Sequence, residues 1–544
     1  MNSRDCLYMK RIISLILSLI TVLCLLASCS KTESVTFYYP VSDNARYLDP
    51  QIADSTAERI VSANCFEGLV RLDENGDIQP GAAVKTDMSA DGLTYTFTLR
   101  PEAKWHVTKT AQKKLADKLG ENFAPAVTAD DFVFALRRAV DPTTQCPDAS
   151  LFNSIKNASK IIDGQMSAQE LGVRAVSDSV LEITLDYADS DLLYALTRPA
   201  AMPCNETFFN ACDGRYGLAL EYMLCNGPFF VYTISEDSYV LITSNDDYSG
   251  ENKVSPDNVY IYLNCDEETA AQKIKSEKYD GGFVSAQTYN RQLNNEKKFT
   301  STAFSDTVWA YCFNFNDDYM KDESIRTAFT YAYDPSVIEP DSAYFEKTSR
   351  ISSVYMTPSY EFTPKMNEYN ETKASELYSL GLRNADLESS AVTVLTTEDF
   401  APQVKLQIQK WQKALGIDVK IKTDTLENVT SAVENGSYQI AFCPVSYTSN
   451  KVYAMLGAFT SESSSNIMGY KSESYDALFG SVRSASDSNA KIEVYKQLEQ
   501  KLIDDCVLLP VLTQNSYFVL NSSISGVYAL SRSEVYFING KIKQ

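Results

Sequence analysis

Few side chains in this sequence have the type and spacing that catalysis or metal binding requires. The chain of 544 residues contains a single histidine, His106. Zinc and iron sites built from two or three histidines are therefore excluded, and a Ser-His-Asp triad would have to use this one residue. His106 follows Trp105 at the end of a predicted strand, which indicates a packed or surface histidine rather than a general base. The sequence has no CxxC pair, so no thiolate metal site is expected. It also has no Walker loop and no GxGxxG motif, and no cofactor is expected.

Two further patterns resemble catalytic pairs. Ser488 and Lys491 have the Ser-x-x-Lys spacing of a penicillin-binding nucleophile, but no Lys-Thr-Gly motif accompanies them and they begin a predicted amphipathic helix. The acidic pairs Asp130-Asp131, Asp317-Asp318 and Asp504-Asp505 are adjacent in sequence, and adjacent side chains point in different directions. They are more typical of caps and solvated faces than of a two-carboxylate glycosidase site, although the fold could bring other carboxylates together. The residues therefore favour a binding protein over an enzyme.

The composition is that of a large, acidic, folded protein. The chain carries 49 Lys plus Arg and 71 Asp plus Glu, a net charge of −22, and 44% of its residues are hydrophobic. This hydrophobic content is enough for packed cores, and the length indicates at least two domains. The acidic excess opposes binding to phosphate backbones, so no nucleic-acid partner is expected.

Residues 1–28 have the pattern of a bacterial export signal. Lys10 and Arg11 precede a mostly apolar run that is shorter than the roughly 20 residues needed to span a bilayer. The run ends in Leu26-Ala27-Ser28-Cys29, which resembles a lipobox, so Cys29 is expected to receive a lipid and to become the first residue. Residues 29–34 would then be a tether. We therefore expect an extracytoplasmic protein, lipid-anchored to the bacterial cell membrane; a buried core helix is the alternative.

Loss of the signal would change both the charge and the cysteine count. Residues 1–28 carry three basic and one acidic side chain, so the remaining chain would have a net charge of −24. Nine cysteines follow Cys29, and an odd number cannot all pair within one chain. Cys204, Cys212 and Cys225 are close enough in sequence for one loop disulfide in an oxidising compartment, or they stay free. Cys312 is typical of a small buried hydrophobic residue.

Hydrophobic periodicity predicts several local elements of a mixed α/β protein. Alternation predicts strands at Tyr95 to Leu99 and at Leu181 to Leu185. Thr128, with Asp131 three residues later, predicts a capped helix that ends before Pro142. An α/β unit is predicted where a helical stripe of apolar residues from Val404 to Leu415 is followed by a glycine and an alternating strand. A second helical stripe begins at Ile492 and leads into an apolar run at residues 507–512.

Several short segments follow one another in an order typical of one family. They are Leu48-Asp49-Pro50, Phe66-Glu67-Gly68-Leu69-Val70, residues 90–100, Lys104-Trp105, residues 127–133, Asp141-Pro142, Leu171-Gly172-Val173, Asn226-Gly227-Pro228-Phe229, Asn314 with Ile325-Arg326-Thr327-Ala328, Leu415-Gly416-Ile417 and Tyr475-Asp476-Ala477-Leu478. Along nearly the whole mature length the chain resembles the peptide-type, family 5 solute-binding proteins of bacterial ABC importers. A charged insert of about fifteen residues after His106 departs from the family pattern.

The resemblance implies a two-lobe, class II periplasmic-binding-protein-like α/β fold with discontinuous lobes and an extra subdomain in the first lobe. The implied divisions are 35–80 and 190–295 for lobe I, 81–189 for the extra subdomain, 296–508 for lobe II and 509–544 for the return to lobe I. Such a receptor closes around a hinge when its ligand stabilises the closed state, and it needs no nucleophile. The implied partners are a peptide, which the family holds by strand-like backbone pairing, an ABC permease and its ATPase subunits. The receptor itself would be a monomer.

The resemblance also assigns candidate ligand-binding residues. First-lobe backbone contacts would fall at Asp54, Ser55 and Thr56, and the second-lobe strand would run from Phe442 to Ser446. Two aromatic positions of the family's cleft correspond here to Asp148 and Leu426.

The second-lobe strand departs from the family pattern at two points. Pro444 and Val445 replace a Gly-Trp pair, and proline lacks the amide donor that backbone pairing uses. The aspartate that anchors the peptide amine corresponds to Thr448, so Asp148 or Asp54 would have to take that contact. A shift of one or two residues in this comparison is the alternative.

Two other functions follow from the same residues. Because the usual amine anchor is absent, the scaffold could bind a non-peptide small solute, since one fold serves many ligands. A secreted hydrolase that kept the receptor scaffold is a third class, and it would have to show turnover.

Overall fold

The computed structural model describes residues 34–543 except 190, 236, 251–252, 295, 341–344, 352–359, 361, 446–451, 462, 464–465 and 483–487. Cys29, Ser446 and Thr448, which the sequence singles out, therefore lie outside the described residues.

The first lobe is built on a four-stranded sheet in the order β1-β10-β9-β8. β1 runs parallel to β10, and the other neighbours are antiparallel. The strands of this sheet are β1 (Thr36–Pro40), β8 (Phe229–Ser235), β9 (Tyr239–Ser244) and β10 (Asn258–Tyr262). The helices of the lobe are α1 (Thr56–Cys65), α5 (Leu192–Ala195), α6 (Glu206–Ala211), α7 (Glu267–Lys275) and α8 (Ala286–Gln292). Three two-stranded ribbons flank them: β2 (Val70–Leu72) with β3 (Ile78–Pro80), β18 (Ile524–Ser525) with β21 (Lys541–Ile542), and β19 (Tyr528–Ser531) with β20 (Glu534–Tyr536).

The extra subdomain is an antiparallel sheet in the order β4-β5-β7-β6 with helices packed against it. Its elements are β4 (Ala83–Met88), β5 (Thr94–Leu99), β6 (Val173–Ser177), β7 (Val180–Thr184), α2 (Lys109–Leu119), α3 (Ala129–Val140) and α4 (Ala158–Ile162). The charged insert after His106 forms α2, which buries Ala111 and Leu115 and leaves its lysines exposed.

The second lobe surrounds a mixed sheet in the order β11-β17-β12-β16-β14-β15, with β13 paired to β17. The strands of this sheet are β11 (Gly281–Ser285), β12 (Phe299–Phe313), β13 (Phe345–Lys347), β14 (Val392–Thr397), β15 (Val419–Asp424), β16 (Ile440–Val445) and β17 (Leu508–Asn521). Of these, β11 pairs with residues 516–520 of β17, at the end of the sheet that packs on the first lobe. The helices of the second lobe are α9 (Glu323–Tyr331), α10 (Glu371–Ala385), α11 (Ala401–Leu415), α12 (Leu426–Glu434), α13 (Val452–Gly457), α14 (Glu473–Ser481) and α15 (Ser488–Asp504). Short 3-10 helices span Pro50–Ile52, Pro142–Thr144, Ala149–Phe152, Ala168–Glu170, Pro199–Ala201, Leu220–Tyr222 and Pro335–Val337.

The two long strands β12 and β17 connect the lobes. They pair antiparallel from Phe299 opposite Asn521 to Cys312 opposite Leu508, with register shifts between Ser305 and Thr307 and between Trp309 and Ala310. At one end of β17 the side chains of Phe518 and Leu520 pack in the first lobe's core. At its other end Leu509, Val511 and Leu512 pack in the second lobe's core. The chain therefore passes from the second core to the first within β17.

The sequence patterns describe the local elements well. Tyr95, Phe97 and Leu99 are buried on β5, as their alternation predicts. α3 begins with a capping box in which Asp131 bonds the backbone of Thr128, and it ends before Pro142. β14, α11 and β15 form the predicted α/β unit, and Gly416 caps α11 with φ of +69°, a conformation that glycine adopts without strain.

The cysteines differ from the disulfide expectation. All nine described cysteines are free, including Cys204, Cys212 and Cys225. Cys204 instead accepts a contact from Arg138 Nη1 at 3.5 Å, and the Cys225 thiol is hydrogen-bonded to Cys65, which belongs to α1. A loop disulfide among these three residues is therefore wrong for this structure, in which all three are free and the thiols of Cys204 and Cys225 have other partners. No helix in the described ranges is long and apolar enough to cross a membrane.

Buried arginine–carboxylate pairs join the extra subdomain to lobe I. Arg138 of α3 bonds Asp49 Oδ2 at 2.6 Å and Gln51 Oε1 at 2.6 Å, and its guanidinium stacks over the Phe209 ring. Two similar pairs cross the same boundary: Arg100 with Glu67 and Arg59 with Asp148. A buried charge is tolerated only when it is paired and hydrogen-bonded, so these contacts fix the subdomain in one orientation.

Replacing Asp49 with alanine tests this dependence. The variant leaves the Arg138 guanidinium, 11% exposed, without its carboxylate. We expect the free energy of unfolding to fall by about 3–5 kcal/mol in urea titrations, because breaking a buried pair on one side is costly. The matched control is Asp87→Ala in the solvent-exposed pair with Lys85, which should cost less than about 1 kcal/mol. Equal effects of the two substitutions would contradict the assignment.

Candidate functional site

The first group of candidate residues forms the N-terminus of α1. Ser55 is the N-cap, and its hydroxyl accepts the Glu58 amide while Glu58 bonds back, which makes a capping box. The amides of Asp54 and Ser55 donate to Glu58 Oε2 at 3.0 and 3.2 Å, and the Thr56 amide donates to Asp43 Oδ2 at 2.6 Å. All three backbone donors already have carboxylate acceptors in their own lobe. A ligand at this turn would therefore meet the side chains rather than these N–H groups.

Asp148 lies beside this turn but is committed to another charge. Its carboxylate accepts two bonds from Arg59 of α1, at 2.7 Å from Nη1 and 3.2 Å from Nη2. Both side chains are buried. Arg59 also lies 3.9 Å from the carboxylate of Asp54, whose side chain is 71% exposed. Of the two predicted carboxylates, Asp54 is thus the one open to solvent, and Asp148 neutralises a buried guanidinium.

An open cavity of about 580 Å³ adjoins this turn. Asp54, Ser55 and Glu58 line one side, and Gln145 and Pro147 of the extra subdomain line another. The remaining lining residues are Asp43, Asn44, Arg46, Tyr47, Ile52 and Asn264. Its size is that of a small-molecule or peptide site, and its polar lining suits a ligand with hydrogen-bonding groups.

The second group of candidates lies on β16 in lobe II. β16 pairs antiparallel with β12, which places Pro444 opposite Trp309 and Val445 opposite Val308. On its other side β16 pairs with β14 only at Ile440 and Ala441 within the described residues. Thr396 of β14 also donates its hydroxyl to the Phe442 carbonyl at 3.1 Å. The segment from Cys443 to Val445 therefore has an edge that β14 does not cover in the described residues.

Aromatic side chains support this end of β16. Trp309, Phe400 and Phe442 form a cluster with ring centroids 4.1 to 5.7 Å apart, and Trp309 Nε1 donates to Gln514 Oε1 at 2.8 Å. Pro444 is half-buried on the same face of the sheet, since cross-strand partners share a face. Val445 is buried on the other face. The strand is thus held rigidly from one side.

Leu426 lies apart from both groups. It is the first residue of α12, after the Thr425 cap, and nearly half of it is exposed. Nothing in its described contacts joins it to Asp54 or Pro444, so its role in a site stays a prediction.

Sequence reasoning missed the side chains that organise the α1 turn: Asp43, Glu58 and Arg59. The Ser55-x-x-Glu58 spacing is a readable capping-box signal. The pair of Arg59 with Asp148 has no such signal, because the two residues are 89 positions apart.

The residues that the sequence offered for catalysis make packing, hydrogen-bond or ion-pair contacts in the fold. His106 stacks on Phe230 with ring centroids 4.0 Å apart, and its Nδ1 lies 3.0 Å from Asp247. Asp131 accepts bonds from Trp105 Nε1 of the subdomain and from Asn205 Nδ2 of lobe I. Ser488 and Lys491 begin α15, and the Lys491 ammonium is directed at Asp189. No group of three metal-ligating side chains comes together in the part of the chain that the structure describes.

Comparison with known proteins identifies the same scaffold. Residues 77–466 match the model for "Bacterial extracellular solute-binding proteins, family 5 Middle". The dipeptide-binding protein DppE of Bacillus subtilis is 25% identical over 514 residues, which cover 92% of this chain and 90% of that protein. The oligopeptide-binding protein OppA of the same organism is 25% identical over 510 residues, covering 91% and 90%.

Solved structures share the fold along nearly the whole chain. OppA of Burkholderia pseudomallei superposes with a TM-score of 0.74 at 20% identity, covering 94% of this chain and all of that one. OppA of Listeria monocytogenes, bound to peptide, gives a TM-score of 0.71 at 21% identity with the same coverage. The predicted two-lobe α/β fold is thereby confirmed.

Proposed function

This chain belongs to the bacterial extracellular solute-binding proteins of family 5, and we propose that it captures peptides by closing two lobes around them. The observation that carries the proposal is the match, over nine-tenths of both chains, to proteins named for binding dipeptides and oligopeptides. The captured peptide would pass to an ABC permease that its ATPase subunits drive. The receptor would act as a monomer and without chemical turnover, since each lobe contributes binding surfaces and the fold supplies the motion.

The uncovered edge of β16 supports backbone pairing with an extended peptide. Antiparallel pairing to β12 fixes this strand on one side, and β14 ends its pairing at Ala441. An extended ligand added at such an edge is recognised through its backbone, which suits a receptor for many sequences. Pro444 removes one donor from the edge, so the pairing would rely on carbonyl acceptors there and on the neighbouring amides.

Asp54 is the better candidate for the peptide's α-amino group. Its carboxylate is exposed and lines the cavity beside α1, whereas the Asp148 carboxylate is buried on Arg59. An ammonium that enters the cavity can donate a charge-assisted hydrogen bond to the Asp54 carboxylate without breaking a buried pair. Ser55 would contribute to the wall of the same site, and Thr56 remains a candidate contact next to it. Leu426, Val445, Ser446 and Thr448 remain candidate contacts from the second lobe.

Cellular position follows from the first residues of the chain. The basic, apolar and lipobox-like segments of residues 1–29 favour export and lipidation at Cys29. A receptor anchored in this way stays beside its permease on the outer face of the bacterial cell membrane. A single acyl chain binds membranes only weakly, so we expect more than one chain on the cysteine.

Peptide binding can be tested on the protein without residues 1–29. We expect thermal-shift screening of free-amine peptides of two to eight residues to identify ligands that raise the melting temperature, because binding to the folded state stabilises it. Mass spectrometry after incubation should find those peptides unchanged. If only a non-peptide solute stabilises the protein, peptide capture is wrong; if the peptides are cleaved, the absence of turnover is wrong.

Two variants at the carboxylates are the controls for this screen. Asp54→Asn should weaken free-amine peptides by about tenfold, equivalent to about 1.4 kcal/mol, and leave N-acetylated peptides unaffected. Asp148→Asn should instead lower the melting temperature of the ligand-free protein, because it removes the partner of buried Arg59. The reverse pattern would assign the amine contact to Asp148.

Pro444→Gly tests whether β16 lines the site. The substitution restores a backbone donor on a strand that β12 already holds, so we expect the fold to persist with a loss of stability of about 1 kcal/mol. The ranking of peptides in the screen should change, because a new N–H group alters which ligand backbones pair well. An unchanged ranking would count against β16 as a ligand contact.

Cys29→Ser tests the anchor. The full chain, expressed in a bacterium, should move from the membrane fraction to the soluble extracytoplasmic fraction, since serine cannot carry the thioether-linked lipid. Metabolic labelling with a fatty acid should be lost at the same time. Continued membrane attachment of the variant would contradict lipid anchoring at this cysteine.

A further inference from the structure

An ion pair joins the extra subdomain to the second lobe away from the β12–β17 connection. Lys491, in the first turn of α15, directs its ammonium at Asp189, with Nζ 2.9 Å from Oδ1. Leu498 and Leu502 of the same helix pack in a second-lobe core, and Leu185 and Leu192 on either side of Asp189 pack in the first. The two charges therefore belong to different rigid bodies, and relative motion of the lobes has to break or form their contact.

The pair is nearly inaccessible to solvent. The side chains are 7% exposed for Lys491 and 15% for Asp189. They line a narrow cavity of about 30 Å³, whose walls come from Ser150, Leu151 and Tyr187 on one side and from Val482 and Tyr495 on the other. This volume holds one or two water molecules and no peptide, so the contact is between the lobes and not part of the ligand site.

Local contacts hold the Asp189 carboxylate ready for this partner. The amide of Asp191 donates to Asp189 Oδ1 at 2.9 Å. Burial raises the pKa of Asp189, but the Lys491 ammonium and the hydrogen bonds to the carboxylate together bring it below its usual value, so the carboxyl is ionised in the contact. The contact can exist only while the subdomain and the second lobe are together, so it favours this arrangement over a separated one.

We propose that Asp189 and Lys491 form a latch that stabilises the closed receptor and so sets how long it retains its ligand. The inference rests on the proposed function, because the retained ligand is taken to be a peptide. Because the cavity beside the pair is too small for a peptide, the two residues act as positioning residues, through lobe closure. The latch also gives Lys491 of the Ser488-x-x-Lys491 sequence a role that is not catalytic, since the first turn of α15 places this lysine at the contact.

The experiment compares three variants with the wild type. Lys491→Met keeps the length of the side chain and removes its charge, Asp189→Asn removes the opposite charge, and the double variant Asp189→Lys with Lys491→Asp restores an inverted pair. Lys496→Met is the matched control, since this lysine lies on the same helix and pairs with Glu493 at 2.7 Å within the second lobe. Each protein is measured with a free-amine peptide found by the thermal-shift screen.

The single variants should release the peptide about tenfold faster in stopped-flow measurements, with little change in the association rate. Their melting temperature without peptide should stay at the wild-type value, which a structural role would lower. The double variant should recover at least half of the lost residence time, and Lys496→Met should match the wild type. Unchanged release rates in both single variants would overturn the latch, as would a fall in the ligand-free melting temperature that accounts for the weaker binding.

A second measurement separates failure of the latch from failure of peptide capture. Spin labels on exposed positions of α2 and α14 report the distance between the subdomain and the second lobe by electron paramagnetic resonance. Lys491→Met should shift this distance distribution towards longer values, whether or not any peptide binds. If the wild type binds no peptide but the distribution shifts, the proposed ligand is wrong and the latch stands. If peptide binds and the distribution is unchanged, peptide capture stands and the latch is wrong.

Discussion

The burial of arginine side chains against carboxylates determines how the first half of this molecule is arranged. Arg59, Arg100 and Arg138 each meet an acidic partner across the boundary between lobe I and the extra subdomain. Burying a guanidinium costs free energy unless a carboxylate pairs with it, and these pairs form in only one orientation of the subdomain on lobe I. The contacts therefore select a single docking geometry. The two units also share one hydrophobic core. One wall of the cleft is therefore a rigid body, and α1, which presents the candidate ligand residues, is fixed to it.

The local elements could be predicted from the sequence because burial on one face leaves a short-range pattern. The alternation at Tyr95 to Leu99 and the capping box at Thr128 each depend on residues within a few positions. The charge pairing could not be predicted in this way, since Arg59 and Asp148 meet only after the subdomain has docked. For the same reason Asp148 looked like a free carboxylate in sequence. A candidate site residue is thus best judged by the partner that the fold has already given it.

The second lobe illustrates how the same spacing serves different purposes. The Ser488-x-x-Lys491 spacing suits a nucleophilic pair, but at the start of a helix it equally suits a charged contact by the lysine alone. The partner across the molecule, Asp189, decides between them. Pro444 is a similar case, because a proline is tolerated in β16 only where the strand has an edge that β14 does not cover. In both places the tertiary neighbours, and not the motif, carry the information about function.

The paired strands that join the lobes limit how much disorder a ligand has to remove. Two lobes on flexible peptides would explore many relative orientations, and capture would lose that orientational entropy. The hydrogen-bonded ribbon of β12 and β17 resists sliding and permits mainly a change of twist, with bulges near Ser305 and Trp309 where the ladder is already interrupted. Most of the orientational freedom is therefore removed when the chain folds. Closing the lobes on a ligand then requires little more than rotation about one axis. Because little orientational entropy is left to lose, weak contacts at a shallow site can be sufficient to retain the ligand.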